Sequence, residues 1–146
     1  IFLLSLMIID NTDNADYFLY KFNISKKDKK RIKFIDNFYK EKINSKTFTE
    51  NNINKIFYYY GKEITLDILY YRKIKTKKED GTLNQLIQHY EILEIPVMPV
   101  SAKLLMKKYK FPEGKQLGEK LKKIEEEWVK NNFKITDNQV DNIVKN

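Results

Sequence analysis

Lysines crowd a short segment in the last third of the chain, around a turn that contains two glycines. Between residues 101 and 123 the sequence carries eight lysines against two glutamates, a net charge of +6. The lysines are Lys103, Lys107, Lys108, Lys110, Lys115, Lys120, Lys122 and Lys123. Gly114 and Gly118 lie among them. Lysine ammonium groups and the free N–H groups at a helix start both attract phosphate, so this segment could bind a nucleic-acid backbone.

Two predicted helices position this turn. Ser101 is a favourable N-cap and predicts a short basic helix to about Tyr109. The sequence Phe-Pro-Glu-Gly at 111–114 ends that helix and begins the next. The second helix has one predicted apolar face. It consists of Leu117, Leu121, Ile124 and Trp128, which are spaced by four, three and four residues. Trp128 continues this face, so we interpret it as a core residue, since a ring that stacks on a base must be exposed.

The four-residue spacing of Gly114 and Gly118 allows two interpretations. In the first, Gly114 starts the helix and Gly118 lets a neighbouring helix approach. In the second, the N–H groups of the turn receive a phosphate. The interpretations are compatible, because the same bare backbone serves both.

Two further basic clusters precede this segment. The first holds Lys21, Lys26, Lys27, Lys29, Lys30, Arg31 and Lys33. The second holds Arg72, Lys73, Lys75, Lys77 and Lys78. A solvated helix face is the alternative to RNA contact for each cluster, and the sequence does not place the clusters on one surface.

Composition limits the class of protein. The 146 residues are 42% hydrophobic, which suits one domain of about 100–200 residues or a piece of a larger one. The absence of cysteine excludes disulfides and cysteine-based metal sites. A net charge of +8 favours an anionic partner such as nucleic acid or a membrane surface. The abundance of Lys, Asn, Ile, Tyr and Phe also fits an AT-rich genome, so the clustering of charge is more informative than its total.

Elsewhere the spacing predicts helices throughout, and hence an all-α fold. Helix caps and stops are predicted at Asp13 or Asn14, Ser25, Thr49, Gly61, Gly81 and Thr136. The aromatic run at 56–60 is the segment where a strand is the strongest alternative. Pro96 and Pro99 predict a boundary between residues 1–95 and 96–146.

The opening apolar run at 1–9 is shorter than the roughly 20 residues that span a bilayer and lacks the features of a signal peptide. We therefore expect a buried helix that begins upstream, in a longer protein.

Catalytic patterns are scarce. A two-metal transferase needs closely spaced carboxylates, and the sequence has no Asp-x-Asp and no Gly-Gly pair. We interpret Asp10, Asp13 and Asp16 as caps or exposed residues, and the glutamates at 125–127 as a solvated face. His89 is the only histidine, so no second histidine or cysteine completes a metal site with it. We expect no catalysis by this chain alone.

The segment at 96–133 resembles the C-terminal end of bacterial CCA-adding enzymes of the tRNA nucleotidyltransferase and poly(A) polymerase family, in an alphaproteobacterial-like form. The pattern consists of Lys-x-Leu at 103–105, Pro-x-Gly-x-x-Leu-Gly-x-x-Leu at 112–121, Glu-x-Trp at 126–128 and Asn-Phe at 132–133. It is dense over 99–133, looser over 1–39 and weak between them. Ala102 and Leu104 stand where the family usually has Gly and Asp, and Tyr109 stands where it often has Gly.

The resemblance implies an all-α assembly: a helical body (1–95) and a small tail (96–146) with a Pro/Gly helix-turn-helix hairpin. It implies that this part grips tRNA in the cytoplasm, without a membrane. The implied RNA-binding residues are Lys103, Lys107, Lys108, Lys110, Gly114, Lys115, Gly118, Lys120, Lys26, Lys27, Lys30 and Arg31. The whole enzyme would add CMP and AMP to the tRNA 3′ end, with Mg²⁺, CTP and ATP held by a catalytic domain outside this chain. A helical protein-interaction module and an RNA-binding domain unrelated to CCA addition are the alternatives.

Overall fold

The computed structural model describes residues 2–10, 12–41, 47–76 and 80–145, and within these ranges the regular structure is entirely helical. The helices are α1 (Phe2–Ile8), α2 (Asn14–Lys21), α3 (Lys26–Lys40), α4 (Glu50–Tyr60), α5 (Lys62–Lys75), α6 (Gly81–Ile92), α7 (Ala102–Tyr109), α8 (Lys115–Lys130) and α9 (Asp137–Lys145). The predicted all-α fold is confirmed.

Short polar side chains cap the N-termini of several of these helices. The Ser25 hydroxyl accepts a 3.1 Å hydrogen bond from the Asp28 N–H at the start of α3. Asp80 and Ser101 cap α6 and α7 in the same way. These bonds satisfy N–H groups that have no partner within the helix. The aromatic run at 56–60 lies within α4.

Two glycines turn the chain between helices. Gly61 is the only residue between α4 and α5, and its φ of 88° and ψ of 169° belong to a region that other residues avoid. Gly114 precedes α8 with a φ of 146°. Both positions therefore require glycine to make the turn without strain.

The core consists of three hydrophobic clusters. The first, between α1, α2, α3 and α5, contains Ile9, Ala15, Leu19, Ile32, Ile35 and Tyr71. The second, between α4, α5 and α6, contains Ile53, Phe57, Leu69, Leu83, Ile87 and Tyr90. The third packs α7, α8 and α9 together and contains Val100, Leu105, Leu117, Ile124, Val140 and Val144. This last cluster holds the two helices that carry the lysine-rich turn.

Helix α4 contacts α8, although the two are separated in sequence by the segment 93–101. This segment has no helix and includes the predicted boundary at 95/96. The buried Asn54 side chain donates a 2.9 Å hydrogen bond to Asn132 and accepts a 2.7 Å bond from the Tyr90 hydroxyl. Trp128 is 2% exposed and meets the ring of Tyr58 edge-on. The predicted core role of Trp128 is confirmed. Within the described ranges, no helix is long and apolar enough to cross a membrane.

Candidate nucleic-acid interface

The turn between α7 and α8 exposes several lysines to solvent. Lys110 follows α7 in the left-handed conformation, with a φ of 55°, and Gly114 leads into α8. Lys103, Lys107 and Lys110 are exposed, and no ion pair joins them to another residue of the described ranges. Lys115 is 90% exposed, with its ammonium 3.9 Å from Glu119 Oε1. An exposed pair of this kind contributes little to stability, so the Lys115 charge also remains accessible.

Gly118 lies on the surface of α8 with open space beside it. A Cβ atom built at this position meets no heavy atom within 4 Å. The prediction that Gly118 admits a neighbouring helix is therefore wrong for the described part of the chain. Glycine in a helix interior costs about 0.5–1 kcal/mol relative to alanine. Internal packing of the described residues does not account for this choice of residue.

Lys108 and Lys120 hold α9 against the hairpin. The Lys108 ammonium lies 3.3 Å from Asp137 Oδ1 and 3.8 Å from Asp141 Oδ1. Its contact with the Tyr109 hydroxyl, followed by that with Asp137, raises the pKa of Lys108. Lys120 donates a 3.0 Å hydrogen bond to the Ile143 carbonyl in the last turn of α9. Both cations therefore have internal roles that the sequence pattern did not reveal.

The Tyr109 hydroxyl donates a further hydrogen bond, to Asp141 of α9. This bond lowers the pKa of Asp141, and the nearby charges of Lys108 and Lys145 lower it further. Tyr109 stands where the resembling family often has glycine. In this chain its side chain fixes α7 to α9.

The first basic cluster contains an internal ion pair. Arg31 donates from Nε to Asp67 Oδ2 at 2.6 Å and from Nη2 to Asp67 Oδ1 at 2.7 Å. Its side chain is 21% exposed and that of Asp67 is 7% exposed. Asp67 raises the pKa of Arg31, first through these hydrogen bonds. Arg31 therefore links α3 to α5 and is not open to an external phosphate.

Of the other candidate residues of this cluster, one has an ion pair within the described ranges and two have none there. Lys27 is paired with Glu63, with 2.8 Å between its ammonium and Oε1. Lys26 and Lys30 are exposed and have no ion pair with the residues that the structure describes. The Lys27 side chain is nevertheless 67% exposed, so Lys26, Lys27 and Lys30 all present accessible charge, and Arg31 does not.

The second basic cluster lies toward the opposite end of α5. The Arg72 guanidinium stacks over Phe48, with 3.9 Å from Cζ to the ring centroid. Lys77 and Lys78 lie outside the described residues. At 1.5 Å per residue, about 15 Å of helix separates Glu63, which pairs with the first cluster, from Lys73. Lys73 and Lys75 therefore lie at the end of α5 that is remote from the Lys27–Glu63 pair.

The remaining chemical candidates have local partners. Asp10 accepts hydrogen bonds from Thr12 and Asn14, and the Thr12 hydroxyl is the main reason that the pKa of Asp10 is lowered. His89 is exposed, with its ring against Tyr90. Among the described residues, no group of three or more His, Cys, Asp or Glu side chains could hold a metal ion.

The glutamates of α8 depart from the predicted solvated face. Glu125 accepts a 2.8 Å hydrogen bond from Tyr58, and Glu127 accepts one of 2.8 Å from Asn131. Both are half-buried, whereas Glu126 is exposed. The prediction was wrong for Glu125 and Glu127 because α4 and the end of α8 supply partners that local spacing does not show.

A cleft of about 840 Å³ borders these glutamates. Tyr59 and Lys55 of α4 line one side, and α9 contributes Gln139, Asn142 and Ile143. Lys122, Lys123 and Lys130 of α8 also line it. Sequence analysis did not single out Tyr59, although its exposure could be expected from the helical position two residues after the buried Phe57.

Comparison with known proteins identifies the family. The family described as tRNA nucleotidyltransferase domain 2 matches residues 1–144. Neither the curated proteins nor the solved structures give a match. The family match includes the helices before residue 96 as well as the lysine-rich hairpin. The chain therefore belongs to the tRNA nucleotidyltransferase domain 2 family.

Proposed function

We propose that this chain binds tRNA through the α7–α8 hairpin. It would thereby position the tRNA 3′ end for CMP and AMP addition by a nucleotidyltransferase domain that this chain does not contain. The role corresponds to the C-terminal body and tail of a bacterial CCA-adding enzyme, in its alphaproteobacterial-like form. Membership of the tRNA nucleotidyltransferase domain 2 family supports the proposal. A tRNA substrate also implies a cytoplasmic location.

The observation that carries the proposal is the bare surface at Gly118. This glycine is exposed, and a Cβ there would meet nothing within 4 Å. Gly114 lies just before α8, and its carbonyl accepts a 3.3 Å hydrogen bond from the Gly118 N–H, so the two glycines together leave a surface without Cβ atoms at the start of the helix. A phosphodiester backbone can approach such a face more closely than one that carries Cβ atoms. The flanking charges of Lys103, Lys107 and Lys115 favour the same ligand.

Contacts of this kind position a nucleic acid without reading its sequence. We therefore expect tRNA affinity to fall as salt rises, and to vary little among tRNA sequences. Mg²⁺, CTP and ATP would be bound by the catalytic domain. The purified chain, mixed with these reagents and a tRNA that lacks its CCA end, should incorporate no nucleotide. Incorporation above a protein-free control would contradict this division of labour.

The decisive experiment is Gly118→Ala. If RNA contacts the surface at Gly118, this variant should bind tRNA several-fold more weakly. Because alanine favours helix, the same variant should be more stable by about 0.5–1 kcal/mol. Urea unfolding measures the stability, and fluorescence anisotropy with labelled tRNA measures the affinity.

Gly81→Ala is the matched control. Gly81 is also an exposed helical glycine with nothing within 4 Å of a built Cβ, but it begins α6. This variant should leave tRNA affinity unchanged. Unchanged affinity in Gly118→Ala as well would make Gly118 only a weak point of the helix, and would overturn the proposed contact.

A second candidate function is protein interaction, favoured by the surface of α1 and α2. Met7, Tyr17 and Tyr20 are 79%, 63% and 88% exposed. Exposed apolar groups of this size mark contact surfaces when they are contiguous. We propose the catalytic nucleotidyltransferase domain as the partner. Replacing Tyr17 and Tyr20 by Ser should weaken association with that domain and leave tRNA binding by the isolated chain unchanged.

A further inference from the structure

We propose that the cleft between α4, α8 and α9 receives an unpaired nucleotide of the bound RNA, with its base stacked on Tyr59. The inference rests on the proposed function, because it assumes that the hairpin contacts RNA. It adds a second kind of contact, to single-stranded RNA, at residues outside the hairpin.

Tyr59 has the exposure and the support that a stacking platform needs. Its side chain is 49% exposed and lines the cleft. The ring of Tyr58 meets it edge-on, with 5.1 Å between centroids. Tyr58 is itself held by Trp128 and by its hydrogen bond to Glu125. Aromatic rings that bind single strands combine an accessible face with nearby positive charge.

The cleft supplies positive charge through four lysines, which face three glutamates in its lining. Glu125 accepts from Tyr58, and Glu127 accepts from Asn131. Glu126 lies 4.0 Å from the Lys122 ammonium, in a pair whose two side chains are both well exposed. Lys55 and Lys123 are exposed and have no ion pair with the described residues. The lining therefore carries a formal charge of +1, and Lys55 and Lys123 are the cations that could contact a phosphate beside the stacked base.

Helix α8 connects the hairpin to this cleft. Gly118 and Lys122 are spaced by four residues and lie on one face of α8, and Gly114 lies just before the helix, with its carbonyl accepting from the Gly118 N–H. About 6 Å of helix separates Gly118 from Lys122, and Lys122 lines the cleft. An RNA backbone that crosses the two glycines can therefore continue over Lys122 toward Tyr59.

The α9 side of the cleft offers groups for the edge of a base. Asn142 is exposed there. The Gln139 oxygen accepts hydrogen bonds from Thr136, which leaves its amide NH₂ group as a donor. Amide side chains with both donor and acceptor atoms are suited to the edges of unpaired bases.

The test compares Tyr59→Leu with Tyr59→Phe, and uses Tyr20→Leu as a matched control for an exposed tyrosine outside the cleft. The probes are a short oligoadenylate single strand and an RNA duplex of equal length. Loss of one base–aromatic stack should weaken single-strand binding by Tyr59→Leu about 5- to 150-fold. Tyr59→Phe and Tyr20→Leu should bind as the wild type does. Duplex affinity and the salt dependence of binding should not change, because stacking releases no counterions.

The outcomes separate this inference from the proposed function. Equal single-strand affinity in Tyr59→Leu and wild type would overturn the inference, while weaker tRNA binding by Gly118→Ala would still support the hairpin contact. Absence of RNA binding by the wild-type chain would overturn both. If Tyr59→Leu weakened association with the nucleotidyltransferase domain but not with RNA, the cleft would be a protein interface and the inference would be wrong.

Discussion

The Tyr58 hydroxyl donates a 2.8 Å hydrogen bond to Glu125 Oε1, and so joins α4 to α8 across 67 residues of sequence. Two more aromatic side chains pack on the Tyr58 ring. Trp128 meets it at 5.3 Å and Phe133 at 6.2 Å between centroids. The relative position of the hairpin and the preceding helices therefore depends on the half-buried Tyr58 and its neighbours.

The Tyr58 interface should weaken at high pH. Burial, and then the hydrogen bond to Glu125, raise the pKa of Tyr58 from 10.0 to about 12. Because the pKa is higher in the folded state, the stabilisation is fully present below the unfolded value and is lost as pH rises from about 10 to about 12. Tyr58→Phe should show a smaller loss of thermal stability across this range than the wild type. Tyr20→Phe, at an 88% exposed position, is the control; an equal effect of both changes would contradict the assignment.

Trp128→Ala should destabilise the protein by about 3–5 kcal/mol, as the truncation of large buried aromatic residues does. The side chain is 2% exposed and contacts both Tyr58 and Phe133. Urea unfolding with a two-state fit measures the change. A free energy of unfolding equal to that of the wild type would mean that Trp128 contributes no packing in solution.

Arg31 and Lys30 are neighbours in sequence with different expected roles. Arg31→Gln breaks the two hydrogen bonds to Asp67 and should cost about 1.5–3 kcal/mol, the range for hydrogen bonds to charged groups. Lys30→Gln, at an exposed position, should change stability by less than about 0.5 kcal/mol. Chemical denaturation compares the two variants. Equal stability would show that the Asp67 pair contributes nothing measurable.

The salt dependence of tRNA binding should decrease when the accessible hairpin lysines are removed. Each phosphate-bound lysine contributes about 0.9 to the slope of log affinity against log salt on duplex. Replacing Lys103, Lys107 and Lys110 by Gln should therefore reduce the slope by up to about 2–3. A control with Lys73 and Lys75 changed to Gln should retain the wild-type slope. Circular dichroism verifies that each variant is folded, and an unchanged slope in the hairpin variant would exclude these lysines as phosphate contacts.

Gly61→Ala should have the opposite effect on stability from Gly118→Ala. Gly61 has a φ of 88° between two helices, and holding another residue in such a region costs about 1–3 kcal/mol. Thermal unfolding of both variants under one condition compares them directly. Stabilisation by Gly61→Ala would show that the α4–α5 turn relaxes to another conformation.

Local signals predicted much of the fold. Ser101 and the Phe-Pro-Glu-Gly break placed α7 correctly, because caps and turn residues act over three or four positions. Trp128 was predicted to be buried from its spacing to Leu117 and Ile124. Local signals could not predict whether an individual lysine or arginine side chain is paired within the protein or accessible to solvent. The partner of Arg31 lies 36 residues away, and spacing within one helix carries no information on such contacts.

The Asn54 side chain has a consequence for the order in which the protein folds. Its two polar atoms are satisfied by Tyr90 and by Asn132, one on each side of the segment 93–101. During synthesis α4 leaves the ribosome well before α8. The Asn54 amide and the adjoining aromatic surface therefore stay exposed to water until the C-terminal helices have been made. Contacts between distant segments form late and slow folding. A premature stop or a protease cut within 93–101 would therefore remove the hairpin and also leave the earlier helices with an unfinished, aggregation-prone surface.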